Sequence, residues 1–281
     1  MLTALVAAVS AASLAMTVEL PAILDNSIYS ESAEDFQLAN GAGVYLFSGH
    51  TAAEFNRRAL VAFDCSSIPS GAQIVSARVE LHVSQTTNLS SAFSLHRLQI
   101  SWGEGPSDAG EPGGFGAPAE PGDATWDFRH YPSVLWSTPG GDYEPLASAS
   151  VDLPPMPGPA VWGPTPELAA DVQQWVNDPV SNFGWIIIGD ETTPRSAKRF
   201  DSRENENPDN RPRLIVEYQF PPSCPGDING DHLVGLADIA RIIQCWAQPS
   251  ACDPAADVDA SGIIGLGDIA AVVQNWAHTC P

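Results

Sequence analysis

Ile74-Val75-Ser76-Ala77-Arg78-Val79-Glu80-Leu81-His82-Val83 alternates strictly between two kinds of side chain. Ile74, Ser76, Arg78, Glu80 and His82 fall on one face, and Val75, Ala77, Val79, Leu81 and Val83 on the other, the pattern of a half-buried strand. Outward from it, Ala59-Leu60-Val61-Ala62-Phe63, Phe93 to Ile100, Trp185-Ile186-Ile187-Ile188-Gly189 and Leu214-Ile215-Val216-Glu217-Tyr218 read the same way. Turn signals such as Ile68-Pro69-Ser70-Gly71 separate the runs. One helix interrupts them. Thr165 can cap it, Pro166 sits at its first position, Leu168, Val172, Trp175 and Val176 form an apolar stripe, and Asn177-Asp178-Pro179 ends it. The stretch Trp102–Pro164 is rich in Gly, Pro and Ser and reads as surface loops. Residues 20–220 are therefore expected to form a mainly β domain.

Charge narrows the function. The 281 residues hold 12 Lys and Arg against 34 Asp and Glu, a formal net charge of −22. That balance excludes a nucleic-acid partner, which needs a basic stripe, and an anionic membrane surface. Leu2 to Ala15 is a run of small and apolar residues with Ser13-Leu14-Ala15 before Met16, which predicts a signal peptide over 1–15 and a secreted or cell-surface protein. No later run reaches the roughly 18 apolar residues of a membrane span, so no membrane insertion is expected.

Phe220-Pro221-Pro222-Ser223 reads as a stiff linker, with 221–223 between the modules. Past it the chain repeats with a period of 30 residues. Asp227-Ile228-Asn229-Gly230-Asp231 returns as Asp257-Val258-Asp259-Ala260-Ser261, and Gly235-Leu236-Ala237-Asp238-Ile239-Ala240 as Gly265-Leu266-Gly267-Asp268-Ile269-Ala270. Ca²⁺ takes about six to eight oxygens, which a loop supplies from fixed positions, one of them a backbone carbonyl. Those positions here are Asp227, Asn229, Asp231, the Leu233 carbonyl, Gly235 and Asp238, then Asp257, Asp259, Ser261, the Ile263 carbonyl, Gly265 and Asp268. Two Ca²⁺ sites are expected. His232 stands where such a loop turns sharply, at positive φ, a conformation His tolerates better than most residues. Val234 and Ile264 are the apolar residues that paired loops would bury. Of five cysteines, Cys224, Cys245, Cys252 and Cys280 lie in this segment. Three pairings are open; Cys224–Cys280 with Cys245–Cys252 is preferred because the first ties the module's ends together. Cys65 is expected to be a buried core thiol.

The repeat resembles a type I dockerin, an EF-hand-like α-helical module with Asp at the last ligand position and a helix only after each loop. The resemblance covers 224–281 and implies a cohesin-like scaffold partner. Loop positions that contact a cohesin in that family are Leu236-Ala237 and Leu266-Gly267 here, apolar and small.

The large domain resembles the DNRLRE family. The residues concerned are Arg58 to Asp64, Ser66 to Ala72, Leu95 to Leu98, Ser101-Trp102-Gly103-Glu104-Gly105, Ala124-Thr125-Trp126 and Trp136 to Asp142. The closing segment Phe200-Asp201-Ser202-Arg203-Glu204, with Asp209 to Leu214, resembles the motif that names the family, with Pro and Arg inserted. The match spans about residues 23–219. It implies a jelly-roll-type β-sandwich, found beside polysaccharide-degrading domains or adhesive modules, with some relatives binding acidic polysaccharides.

The residues offer a physical basis for that ligand. Arg195, Lys198, Arg199, Arg203, Arg211 and Arg213 fall within 19 positions and hold half the basic residues of the chain. Arg pairs bidentately with uronate carboxylates. Trp126 is the candidate stacking aromatic, with Trp102, Tyr131 and Trp136 nearby in sequence. The competing reading pairs these bases with the interleaved Asp201, Glu204, Glu206 and Asp209. Asp25, Asn26 and Asp64 offer oxygen ligands near strand ends, where turn capping is the simpler reading.

No metalloprotease, nucleophile-elbow, phosphate-loop or zinc spacing occurs, so no catalytic residue is assigned. The expected protein is an exported, non-catalytic one: the β domain binds polysaccharide and the repeats dock through calcium. The alternatives are an adhesive surface protein without a sugar ligand and a polysaccharide-degrading enzyme with an unrecognised site.

Overall fold

The computed structural model describes residues 15–31, 36–220, 224–247, 254–259 and 261–280. The expected signal peptide, apart from Ala15, the linker 221–223 and Cys252 lie outside them. Residues Ala15–Gln219 form one compact unit, and the chain from Phe220 onward forms another.

The first unit is mainly β. Its strands are β1 (Met16–Tyr29), β2 (Leu38–Ala39), β3 (Tyr45–His50), β4 (Asn56–Phe63), β5 (Gln73–Gln85), β6 (Ser91–Arg97), β7 (Ala117–Pro118), β8 (Phe128–His130), β9 (Val134–Leu135), β10 (Ala149–Leu153), β11 (Gly158–Trp162), β12 (Trp185–Gly189), β13 (Lys198–Asp201) and β14 (Arg213–Gln219), with helix α1 (Pro166–Asn177) between β11 and β12. Six strands run β1-β14-β5-β13-β3-β4 and close back on β1, and β12-β6-β10 extend from β4. Closure depends on β1. Its residues 16–21 pair with β14, its residues 22–29 pair with β4, and the register slips at Ala22/Leu24, where the strand bends from one sheet to the other.

The main core holds Phe63, Phe93, Trp162, Trp175, Trp185 and Phe200, contributed by strands around the ring and by α1. Strand β4 shows why its sequence is apolar without alternation. Ala59, Val61 and Phe63 enter the main core, whereas Leu60 and Ala62 enter a second cluster with Ile28, Leu98, Trp102, Trp136 and Ile186. A strand covered on both faces reads as a continuous apolar run. The cover on the second face comes from the segment expected to be surface loops, so that segment is partly an inner layer. It also contains β10 and β11, which the Pro-rich stretch Pro154-Pro155-Met156-Pro157 conceals in sequence.

Two local readings can be compared directly. Helix α1 begins after Thr165, whose Oγ1 accepts from the Leu168 N–H at 3.2 Å, and it buries Leu168, Val172, Trp175 and Val176. Along β5 the alternation holds from Ala77 to Val83 and fails at its start. The register against β14 slips so that Glu217 faces Ser76 and Tyr218 faces Ile74. The skipped Val75 therefore turns outward, and Ile74 packs against the core instead.

The second unit contains α2 (Leu236–Ala247) and α3 (Leu266–Gln274). Val234, Ile242 and Val272 form its buried apolar cluster, with Ile228, Ile239, Val258, Ile264 and Ile269 packed around them. Cys224 and Cys280 are disulfide-bonded with their Cα atoms 5.8 Å apart. Cys245 is also disulfide-bonded. Cys65 is free and buried. Among the described residues no helix is long and apolar enough to cross a membrane.

Candidate functional site

Two places bring the expected residues together. The first is the pair of acidic loops. In the second loop, carboxylate oxygens of Asp257, Asp259 and Asp268 lie within 4.8 Å of one another. Asp268 is buried, because its Oδ2 accepts from the Gly265 N–H at 2.7 Å and its Oδ1 from the Asp259 N–H at 3.2 Å. The Ser261 hydroxyl lies 3.3 Å from the Ile263 carbonyl oxygen, so these two further expected ligands sit together. In the first loop, Asp238 repeats the role of Asp268, accepting from Gly235 and Ile228 N–H groups. Asp227 accepts from Gly230 and His232, and Asn229 lies 2.9 Å from Asp231. His232 takes φ +67°, the left-handed turn expected there, and Gly262 takes +80° in the second copy.

The donor set is oxygen only and rich in carboxylate, which fits a hard cation such as Ca²⁺. A further grouping of Cys224, Asp227 and Cys280 is no thiolate site, since the two sulfurs are bonded to each other. Val234 is buried as expected, but its backbone partners are Ala277 and His278; Ile264 is only partly buried in the same cluster.

The second place is a cleft of about 410 Å³ on the β unit, lined by Arg57, Arg195, Lys198, Arg199, Phe47 and Thr86 among others, with no acidic side chain in its wall among the described residues. In a chain of net charge −22 that is a local inversion of sign. Arg195 is exposed at its mouth. The Arg199 guanidinium stacks 3.7 Å from the Tyr45 ring centroid, and its Nε donates to Ser84 at 3.1 Å. Arg57 was not expected from sequence, since it lies far from the basic run. It is 8% exposed, is bonded to Glu31 through Nη2, and its buried Nε has no hydrogen-bond partner among the described residues.

The rest of the basic run departs from the expected surface patch, and strand geometry is the reason. Successive residues of β13 face opposite ways. Lys198 therefore points inward with Phe200, is 1% exposed, and donates Nζ to Thr86 Oγ1, Leu89 O and Pro154 O at 2.6, 3.0 and 3.1 Å. Burial pushes its pKa down. Its three protons are used, which makes it a strut behind the cleft instead of a ligand cation. Arg203 is held by Glu104 in a two-pronged pair, 2.6 Å at each prong, and by Glu204 at 3.0 Å; the Glu104 bond raises its pKa. Arg211 donates Nε to the Asn205 carbonyl, and Arg213 pairs with Glu80 and Glu19.

The stacking aromatics differ too. Trp102 and Trp136 are buried, and Trp126 is half-buried with the Arg58 guanidinium 4.8 Å from its ring centroid. His82 and His96 are satisfied in their strands, by Asp201 at 2.7 Å and by the Glu144 carbonyl at 2.9 Å. Asp64 caps a turn, accepting from Ser66.

Compared with known protein families the chain matches none, and no curated protein matches it either.

Proposed function

We propose that the chain is an exported, non-catalytic two-module protein. Its C-terminal unit is a dockerin-like module that takes two Ca²⁺ and docks onto a cohesin-like partner. Its β unit is a jelly-roll-type sandwich of the DNRLRE kind that binds an acidic polysaccharide. The observation that carries this reading is the duplicated acidic loop, with Asp257, Asp259 and Asp268 converging in the second copy. Clustered aspartates repel one another until a cation neutralises them, so the metal would contribute to folding of this small unit. Docking is supported by a repeated exposed apolar face: Leu236, Ile243 and Trp246 in one copy and Leu266, Val273 and Trp276 in the other.

Support for the sugar comes from the cleft. Arg195 and Arg199 supply forks for carboxylates, and Arg57 a buried cation behind them. Calorimetric titration of the chelator-stripped chain with Ca²⁺ tests the first module: Asp238→Asn with Asp268→Asn should remove about two equivalents and the gain of helical signal, and a stoichiometry unchanged by the two substitutions refutes it. For the second, Arg195→Ala should weaken binding of a polyuronate by about fivefold with an unchanged melting temperature. Unaltered binding removes the cleft as the sugar site.

A further inference from the structure

Glu104 and Arg203 meet at a carboxylate, Asp25, that neither the cleft nor the acidic loops use. Asp25, in β1, is fully buried. Its Oδ2 accepts from the Arg203 N–H at 2.7 Å, whereas its Oδ1 is buried with no hydrogen-bond donor among the described residues. Glu204 repeats the pattern: Oε1 lies 3.0 Å from the Arg203 Nε, and Oε2 is buried without a donor. The forked bond to Arg203 fixes the plane of Glu104, whose Oε1 also accepts the Asp25 N–H at 2.8 Å. One oxygen from each carboxylate lies within 4.8 Å of the others.

Native interiors rarely leave polar atoms bare, and two carboxylates of one cluster that each keep a bare buried oxygen call for a positive partner. Among the described residues Arg203 is the one cation ion-paired with any of the three, so the ionised group is two charges short of balance. We propose that Asp25, Glu104 and Glu204 form a divalent-cation site in the β unit, separate from the C-terminal loops. An all-oxygen, carboxylate-rich donor set selects a hard ion of the Ca²⁺ type, with water completing the coordination from the side of Glu104 and Glu204. Arg203 acts as outer-shell partners do at metal sites, setting ligand orientation without touching the ion. The three ligands come from β1, from the loop after β6 and from the turn after β13, so the ion ties distant segments of the ring. The rival occupant is a pair of protons, one on each bare oxygen.

The experiment uses the full chain carrying Asp238→Asn and Asp268→Asn, which removes the last carboxylate of each C-terminal loop. Equilibrium dialysis with Ca²⁺ should leave one bound equivalent, and Ca²⁺ should raise the melting temperature of the β unit. Adding Glu204→Gln should weaken that equivalent by at least about tenfold and abolish the shift. Asp25→Asn, which keeps an acceptor for the Arg203 N–H, is the second variant with the same expected result. No residual equivalent and no shift would assign the two oxygens to protons and overturn the proposal. Residual binding untouched by both β-unit variants would overturn it as well. Failure of the dockerin-like reading looks different: the unsubstituted chain would then bind a single equivalent, indifferent to Asp238→Asn and Asp268→Asn.

Discussion

Replacing Cys224 and Cys280 together by Ser should leave the C-terminal unit unfolded in chelator. The bond closes a loop with a sequence separation of 56 residues. Loop-closure entropy at that length is worth about 4 kcal/mol in the chain-entropy treatment. Opposite it stands a small core. Val234, Ile242 and Val272 are fully buried, and three such side chains contribute roughly 5–9 kcal/mol before any ordering entropy is subtracted. Losing about 4 kcal/mol from that margin removes the folded state. The assay is urea denaturation of the full chain followed by far-ultraviolet circular dichroism, with and without Ca²⁺. In chelator the variant should lack the helical amplitude of α2 and α3 at zero urea, while the transition of the β unit stays in place. Ca²⁺ should restore part of that amplitude, because a ligand of the folded state stabilises it by mass action. If the variant keeps a C-terminal transition within about 1 kcal/mol of the parent in chelator, loop closure is not what holds this unit together.

Three further outcomes are expected. Trp175→Ala should cost about 3–5 kcal/mol in chemical denaturation, because the ring lies 4.3 Å from Trp185 in the core. Trp175→Phe should cost far less, since it removes a buried Nε1–H with no acceptor among the described residues; equal costs would show that this N–H is satisfied. Lys198→Met should lower stability by about 3 kcal/mol through the three oxygens it strands, without changing polyuronate affinity, and the reverse result would return Lys198 to the ligand site. Burial pushes the Cys65 thiol up to about 12, so the folded state keeps its proton while the unfolded chain loses it. Stability from this group is intact below the unfolded value near 9 and declines as pH rises toward 12, by about 2 kcal/mol near pH 10.5. Cys65→Ala should lack that slope in pH-dependent denaturation; an identical slope would place its origin elsewhere.

What could be read in advance follows from which interactions are local. The cap and stripe of α1 were legible residue by residue, because Thr165, Pro166 and the spacing of Leu168, Val172, Trp175 and Val176 act within one helix. The mainly β character was legible from alternation. The outward turn of Val75 was not, since it depends on a slip against β14, 141 residues away along the chain from Ser76 to Glu217. For the basic run, composition showed a cluster of cations but not that β13 turns Lys198 inward. Arg57 joins the cleft only through pairing of β3 and β4 with their neighbours, and no local signal marks it. The acidic loops were the most legible feature, as their geometry is set within about a dozen residues.

The closure of the ring has a consequence for how the protein is made. Met16–Pro21 find their partners in Arg213–Tyr218, so the first strand waits for the last. A growing chain that ends before β14 has an open sheet with two unpaired edges and cannot complete the main core. Folding of this unit therefore waits for its last strand and is made slow by long-range pairing, and the growing polypeptide keeps an open sheet until β14 is free. Truncation from the C-terminal side should be tolerated up to Gln219 and fail abruptly within β14.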